Sequence, residues 1–383
     1  YISFLIDKGL PVADITRKIQ LNLGTGPAYF MEIAKLRAVR LLWSRIVEAF
    51  TGKKGVPSKV FIHSVTSDWN KAIYDAHTNM LRSTTEAMAA ILGGTDSLNV
   101  KPYDFYFRHP SEFSERIALN TQLVLKEEAY FDKVADPAAG SYYLENLTLG
   151  IIEETWKLFL EAEEAGGFTA AFRKGILQKW IKETSAKRRA GIASRKETLL
   201  GINQFPNPEE NVPDSIDFSI AFPVQPVAKT TIGEPVKLFR GAEDIEKLRL
   251  NTGKMKNGIP SVFLLTYGNP AMRTARANFA SNFFGCAGFK IINNLGFTSI
   301  EKGIEAAIES KAEIVVICSA DEEYPAITPG VCKNLKDKAI IVIAGYPKDS
   351  VELLKDAGIE NFIHVRSNLL ETLKGFQQKL GII

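Results

Sequence analysis

His63, within "FIHSVTSDW" (61–69), and the turn at the centre of "LLTYGNPAMRTARANF" (264–279) are the two places in this 383-residue chain where residue type and position invite chemistry. An imidazole set among strand-forming residues, taken alone, suggests a general base. The second stretch reads as a buried strand, a tight Gly-Asn-Pro turn and the first turns of a helix. In a layered α/β domain such a turn lies at the carboxyl edge of the sheet, where ligands usually bind.

Other reactive side chains are sparse. His77, His109 and His364 complete the histidines, and no H-x-x-H or H-E-x-x-H pair occurs, so no protein-built metal site is expected. Cys286, Cys318 and Cys332 lack C-x-x-C spacing and fall in segments that read as strand or helix; they are expected to be reduced, buried thiols of a cytosolic protein. Asp321, alone after a strand, reads as a surface cap rather than a phosphorylation site. The turn "GNPAMR" lacks the Ser/Thr-rich phosphate loop that would suggest flavin.

Composition narrows the function classes. Forty-seven basic and forty-four acidic residues give a net charge of +3, too balanced for a nucleic-acid footprint, and the cationic run "AKRRAGIASRK" (186–196) reads as a solvated helix face. No apolar run reaches the ~18 residues of a membrane span. The chain opens at Tyr1 without an initiator Met or a signal-peptide pattern, as expected of a piece of something longer.

The elements that must position these residues form three regions. In the C-terminal third, apolar runs start at Ser261, Phe289, Glu313, Ala339 and Asn361, each followed by a helical pattern. Ile300, Ile304 and Ile308 form one helical stripe, and Leu369, Leu373, Phe376 and Leu380 another. Asp349 and Ser350 are expected to cap a third helix, with Gly358 just past its end. Strands apolar almost throughout imply a parallel sheet with helices on both faces, here a flavodoxin-like domain over 241–383. Residues 146–240 read as charged helices over about 150–200, then an extended linker carrying six prolines from Pro206 to Pro235. In 1–145, strands at 18–26, 58–67 and 96–100 alternate with helices expected from Pro27 to Gly52 and from Asp68 to about Leu92. An open three-stranded parallel sheet leaves unpaired edges, so further strands are expected upstream.

Three stretches, "YFMEIAKLRAVRLLW" (29–43), "RSTTEAMAAILGGTDSLNV" (82–100) and "FSERIALNTQLVLKEEAYFDKVADPAAGSYYLENLT" (113–148), closely resemble methylmalonyl-CoA mutases. Within the last, "DPAAGSYYLENLT" looks like the family's D-P-x-x-G-S-x-Y-x-E-x-L-T signature. The resemblance implies a TIM (β/α)8 barrel that takes an acyl-CoA through its centre, of which 1–145 is the C-terminal part. It further implies a helical and extended linker, and a flavodoxin-like domain of the cobalamin-binding type.

It also implies where the family's chemistry would sit. A D-x-H-x-x-G motif follows the first strand of the cobalamin domain; its His ligates cobalt from below, its Asp fixes that imidazole, and its Gly admits the corrin tail. Here Asn269 stands in the Asp position, Ala271 in the His position and Thr274 in the Gly position, and no histidine lies nearby. In the barrel, the family's R-T-H-S-Q-T-S-G-W strand reads "FIHSVTSDW": Phe61 replaces the Arg that reaches the acyl-CoA, while His63, Ser64, Thr66, Ser67 and Trp69 persist. Asn99 stands where catalytic chains carry His. A phenyl ring cannot pair with phosphate or carboxylate.

Neither catalytic nor cofactor-binding residues are therefore expected in this chain, and His63 reads as a remnant. The resemblance suggests the small, non-catalytic subunit of a heterodimer whose large subunit binds adenosylcobalamin and interconverts methylmalonyl-CoA and succinyl-CoA; "FRGAEDIEKLR" (239–249) fits the small-subunit linker. No nucleic acid or membrane partner is expected. Two other readings stay open at this point: a competent acyl-CoA mutase with atypical cobalt ligation, and a chaperone-like protein that guards the mutase.

Overall fold

The computed structural model describes residues 1–52, 59–210, 216–224, 232–255 and 258–383. The chain folds into two compact units, one built from 1–184 and 215–240, the other from 185–214 and 241–383. Among the described residues the sheet of each unit is parallel throughout, as expected for an α/β protein.

The first unit opens with short helices α1 (Ile2–Asp7) and α2 (Val12–Lys18), then β1 (Gln20–Thr25), α3 (Tyr29–Thr51), β2 (Phe61–Thr66), α4 (Thr78–Leu92) and β3 (Ser97–Asn99). The strands pair in the order β1-β2-β3, with Asn22, His63 and Ser97 in one cross-strand row. Alternation puts Leu21, Leu23, Ile62 and Leu98 on one face. There they pack with Leu36 and Trp43 of α3 and Ala90 of α4. Gln20, Asn22, Phe61, His63 and Val65 point the other way. Helices α3 and α4 cross closely: a Cβ on Gly93, just after α4, would lie 2.8 Å from a methyl of Leu36.

One expected boundary is corrected. The helix predicted from Asp68 begins only at Thr78. The intervening residues form turns held by side chains, because Asn79 accepts from Ala72 N (3.1 Å) and donates to the carbonyls of Ala72 (2.7 Å) and Tyr103 (3.0 Å). The two bonds to Ala72 satisfy backbone groups that a longer helix would otherwise pair internally. Ser58, the first residue of the expected second strand, lies outside the described residues.

After β3 come α5 (Glu112–Leu123), which runs into a π turn at Val124–Glu128, then α6 (Tyr142–Glu164), α7 (Phe168–Arg173) and α8 (Ile176–Ala193). A short α9 (Phe218–Ala221) follows within the proline-bearing stretch. Pro213 and Pro226 of that stretch lie outside the described residues.

The second unit contains α10 (Glu243–Gly253), β4 (Ser261–Thr266), α11 (Pro270–Gly285), β5 (Lys290–Ile292), α12 (Ile300–Ser310), β6 (Ile314–Cys318), α13 (Tyr324–Leu335), β7 (Ile340–Ala344), α14 (Val351–Asp356), β8 (Asn361–Ile363) and α15 (Leu369–Lys379). Its sheet runs β5-β4-β6-β7-β8, so the direction of winding reverses between β4 and β6. In open α/β sheets that reversal leaves a crevice outside the carboxyl ends of the two strands. Leu265, Val315, Ile317 and Ile343 are fully buried, as runs apolar on both faces require. Ser350 takes the N-cap position of α14, but its side chain makes no capping bond, unlike Ser299 and Asn368 at α12 and α15.

Two polar residues also differ from expectation. Asp321 caps no helix; it accepts from Arg276 at 2.8 Å. Arg195, within the cationic run, is not simply solvated. Its guanidinium lies 4.8 Å and 5.3 Å from the ring centroids of Phe279 and Phe283, and it donates to the His364 carbonyl.

Candidate functional site

The carboxyl edge of the second unit's sheet holds Asn269, Ala271 and Thr274 together on the first turns of α11. Asn269 is the N-cap: its Oδ1 accepts from Ala271 N (3.0 Å) and Met272 N (3.2 Å), satisfying donors that the helix cannot pair. Pro270 fits the first helical position, where no N–H is needed. Thr274 donates to the Pro270 carbonyl at 2.7 Å. Ala271 offers a methyl and no ligand atom. The one histidine at this end of the sheet, His364 after β8, has a pKa held below its ordinary value by burial and by Arg366 and Arg195.

Sequence reasoning missed the residue that organises this edge. Glu323, at the N-cap position of α13, bridges the turns after β4 and β6. Its carboxylate accepts from Asn269 N (3.2 Å) and Ala320 N (3.0 Å), and Ser319 Oγ contacts its Oε2. The same hydroxyl lies 2.8 Å from the Tyr267 carbonyl, so its single proton serves one of the two. Burial alone would raise the Glu323 pKa; the bonds from Ser319, Ala320 and Asn269 outweigh it and hold the carboxyl below its ordinary value. Gly268, at φ +79°, makes room, since a Cβ there would sit 2.0 Å from Glu323 Oε2. Arg273 closes the flank, donating to the carbonyls of Gly268 (3.4 Å) and Leu295 (3.2 Å). Only the third residue of "DEEY" after an apolar strand hinted at this role.

In the first unit, Phe61 and His63 share a face of β2, and Ser64 points to the other. Phe61 is 47 % exposed at the start of the strand. His63 Nδ1 meets Ser97 Oγ at 2.6 Å, whereas Ser64 Oγ accepts from Thr95 at 2.9 Å. Asn99 lies opposite Val65, two residues along β2 from His63. His63 and Ser64 therefore face opposite sides of the strand and have different partners, Ser97 and Thr95.

Two polar constellations behind these strands are structural. Lys71 and Glu86 form an ion pair of 2.7 Å with both side chains fully buried. Burial pushes the lysine pKa down and the glutamate pKa up, each opposed by the partner's charge. "DPAAGSYYLENLT" is a clasp: Arg37 of α3 reaches Asp136 (3.1 Å) and Glu145 (2.8 Å), and Glu145 also accepts from Gly140 N (3.1 Å), binding the start of α6 to α3.

Among the described residues, no cluster of three or more His, Cys, Asp or Glu could hold a metal ion, and no helix is long and apolar enough to cross a membrane. All three cysteines are free and buried.

A family model described as methylmalonyl-CoA mutase matches residues 1–222. Among curated proteins, the methylmalonyl-CoA mutase small subunit of Porphyromonas gingivalis (strain ATCC BAA-308 / W83) is 48% identical over 379 residues, covering 99% of this chain and 61% of its own length. That of Streptomyces virginiae is 34% identical over 338 residues, or 88% of this chain and 53% of its own. The large subunit from Porphyromonas gingivalis is 37% identical over 217 residues, covering 57% of this chain and 30% of its own length. The chain thus spans between half and two thirds of the length of the small subunits it matches.

Proposed function

The chain belongs to the methylmalonyl-CoA mutase family, and on that premise we propose that it is the small, non-catalytic subunit of a heterodimeric mutase, a structural partner of a large subunit that binds adenosylcobalamin and interconverts methylmalonyl-CoA and succinyl-CoA. In this reading 1–145 is the C-terminal part of a TIM barrel, 146–240 the linker, and 241–383 a flavodoxin-like domain of the cobalamin-binding type whose ligand motif has degenerated. Expected localisation is the cytoplasm.

The observation that carries the reading is the chemistry at 269–274. A cobalt ligand requires a nitrogen donor free to turn outward, and Ala271 supplies none. The Asn269 side chain, in the place of the residue that would orient an imidazole, is committed to two backbone amides of its own helix. The residues present therefore do not fit a corrin, and no step of the reaction is routed through this chain. Phe61 and Asn99, and His63 bonded to Ser97, support the same conclusion for the barrel.

The test uses the full-length protein, incubated with adenosylcobalamin alone and then with the large subunit, each followed by gel filtration. Alone, its peak should be colourless; mixed, the two chains should co-elute one to one, with corrin present in proportion to the large subunit. A red peak at one corrin per chain without the partner would overturn the reading. Co-elution that fails to reach equal stoichiometry would favour a transient, chaperone-like role instead.

A further inference from the structure

The crevice at the point of reversed winding, between the ends of β4 and β6, is where an open α/β sheet usually takes its ligand. Here it already contains a carboxylate. Glu323 reaches from the β6 side and accepts backbone N–H groups from both turns, Asn269 N after β4 and Ala320 N after β6. Ser319, whose hydroxyl touches the same carboxylate, is fully buried, and the partly exposed Glu323 side chain covers it from the solvent side of the sheet edge. Gly268 is shaped to the arrangement, because any side chain at that position would collide with Glu323 Oε2. Two guanidinium groups rise from α11 to the same edge: Arg273 beside Gly268, and Arg276 paired with Asp321.

We propose that Glu323 is a built-in occupant of this crevice, an autoinhibitory carboxylate that takes the backbone donors an external anion would need and so keeps the edge closed to ligands. The proposal deepens the reading of this edge as one without a corrin, and rests on it. What is excluded follows from the donors: two amides, a hydroxyl and nearby guanidinium groups match a small oxyanion, phosphate or carboxylate. Gly268 and Glu323 act together, since the glycine admits the side chain that fills the seat.

The experiment titrates inorganic phosphate into the isotopically labelled full-length protein while the amide resonances of Asn269 and Ala320 are followed. Wild type should show no saturable shift at either amide. Glu323→Ala should show saturable shifts at both, with an affinity at least tenfold above any wild-type response. Glu323→Gln, which keeps the side chain's shape without its charge, should respond more weakly than the alanine variant, and it carries the test if Glu323→Ala does not fold. Folded variants whose two amides ignore phosphate, or a wild type that binds as they do, would overturn the proposal. These outcomes are separate from those for corrin: a wild-type chain that retains adenosylcobalamin overturns the proposed function, and phosphate binding by the variants alone does not.

Discussion

Lys71 and Glu86 face each other at 2.7 Å with no solvent on either side chain, one on the turns after β2 and the other in α4. The pair is further tied to its surroundings: Lys71 donates to the Ser67 carbonyl at 2.9 Å, and Glu86 accepts from Ser67 N at 3.2 Å. It therefore fixes the path of the chain as it leaves β2, the strand that carries Phe61 and His63.

Removing one partner leaves a buried charge without compensation. Lys71→Met should destabilise the first unit by about 3–5 kcal/mol, whereas Lys71→Met combined with Glu86→Leu should recover most of that loss, because well-packed apolar pairs often match buried ion pairs. Denaturant unfolding of the two single variants and the double closes the cycle. If the double were as unstable as the sum of the singles, the pair would not be acting as a unit.

The clasp from Arg37 to Asp136 and Glu145 gives a pH-dependent prediction. The hydrogen bond from Arg37, followed by that from Gly140 N, holds the Glu145 carboxyl below its ordinary value. A depressed carboxyl pKa contributes stability that is present above the unfolded value, about 4.3 for Glu, and is lost as pH falls through the folded one. Arg37→Ala should lower Tm at neutral pH by roughly 2–4 °C and by progressively less below pH ~4. A deficit that stays constant down to pH ~3 would mean that the clasp works through packing and not charge.

The strands of the second unit were legible because burial on both faces forces them to be apolar throughout, as at Val315–Ile317. The helix stripes through Ile304 and Leu373 were legible for the same reason, read at a different period. What could not be read were contacts across long stretches of chain. Glu323 meets Asn269 from 54 residues away, and Arg37 meets Asp136 and Glu145 across 99 and 108. A local reading made Asp321 the cap and overlooked Glu323, two residues on, because nothing in "DEEY" says which carboxylate turns back over the sheet. The start of α4 was misplaced for a related reason: the residues after Asp68 are helix-compatible, but the Asn79 side chain takes both backbone groups of Ala72.

Thiol chemistry offers a check on packing that is independent of the candidate sites. Cys286 is 1% exposed and burial pushes its thiol up to about 12, while Cys318 and Cys332 are raised by the same cause. Since the thiolate is the reactive species, all three should react slowly with a disulfide reagent at pH 8, and all three should titrate at once in denaturant. A thiol that reacts promptly in the native protein would place its segment outside the packed core described here.

The sharpest single substitution is Ala271→His, which places an imidazole where, in the function proposed above, a cobalt ligand would stand. Ala271 is exposed on the first turn of α11, so the change should alter stability by no more than about 0.5 kcal/mol, and a well-folded variant is expected. It should still elute colourless after incubation with adenosylcobalamin. The new imidazole has nothing to orient it, because the Asn269 side chain remains bonded to the amides of residues 271 and 272, and the crevice beside it still holds the Glu323 carboxylate. Absorbance of the protein peak decides the matter. A red variant would mean that one nitrogen donor suffices and that the helix cap and filled crevice are no barrier; a colourless one would mean that an imidazole at 271 is not by itself enough to make this edge hold cobalamin.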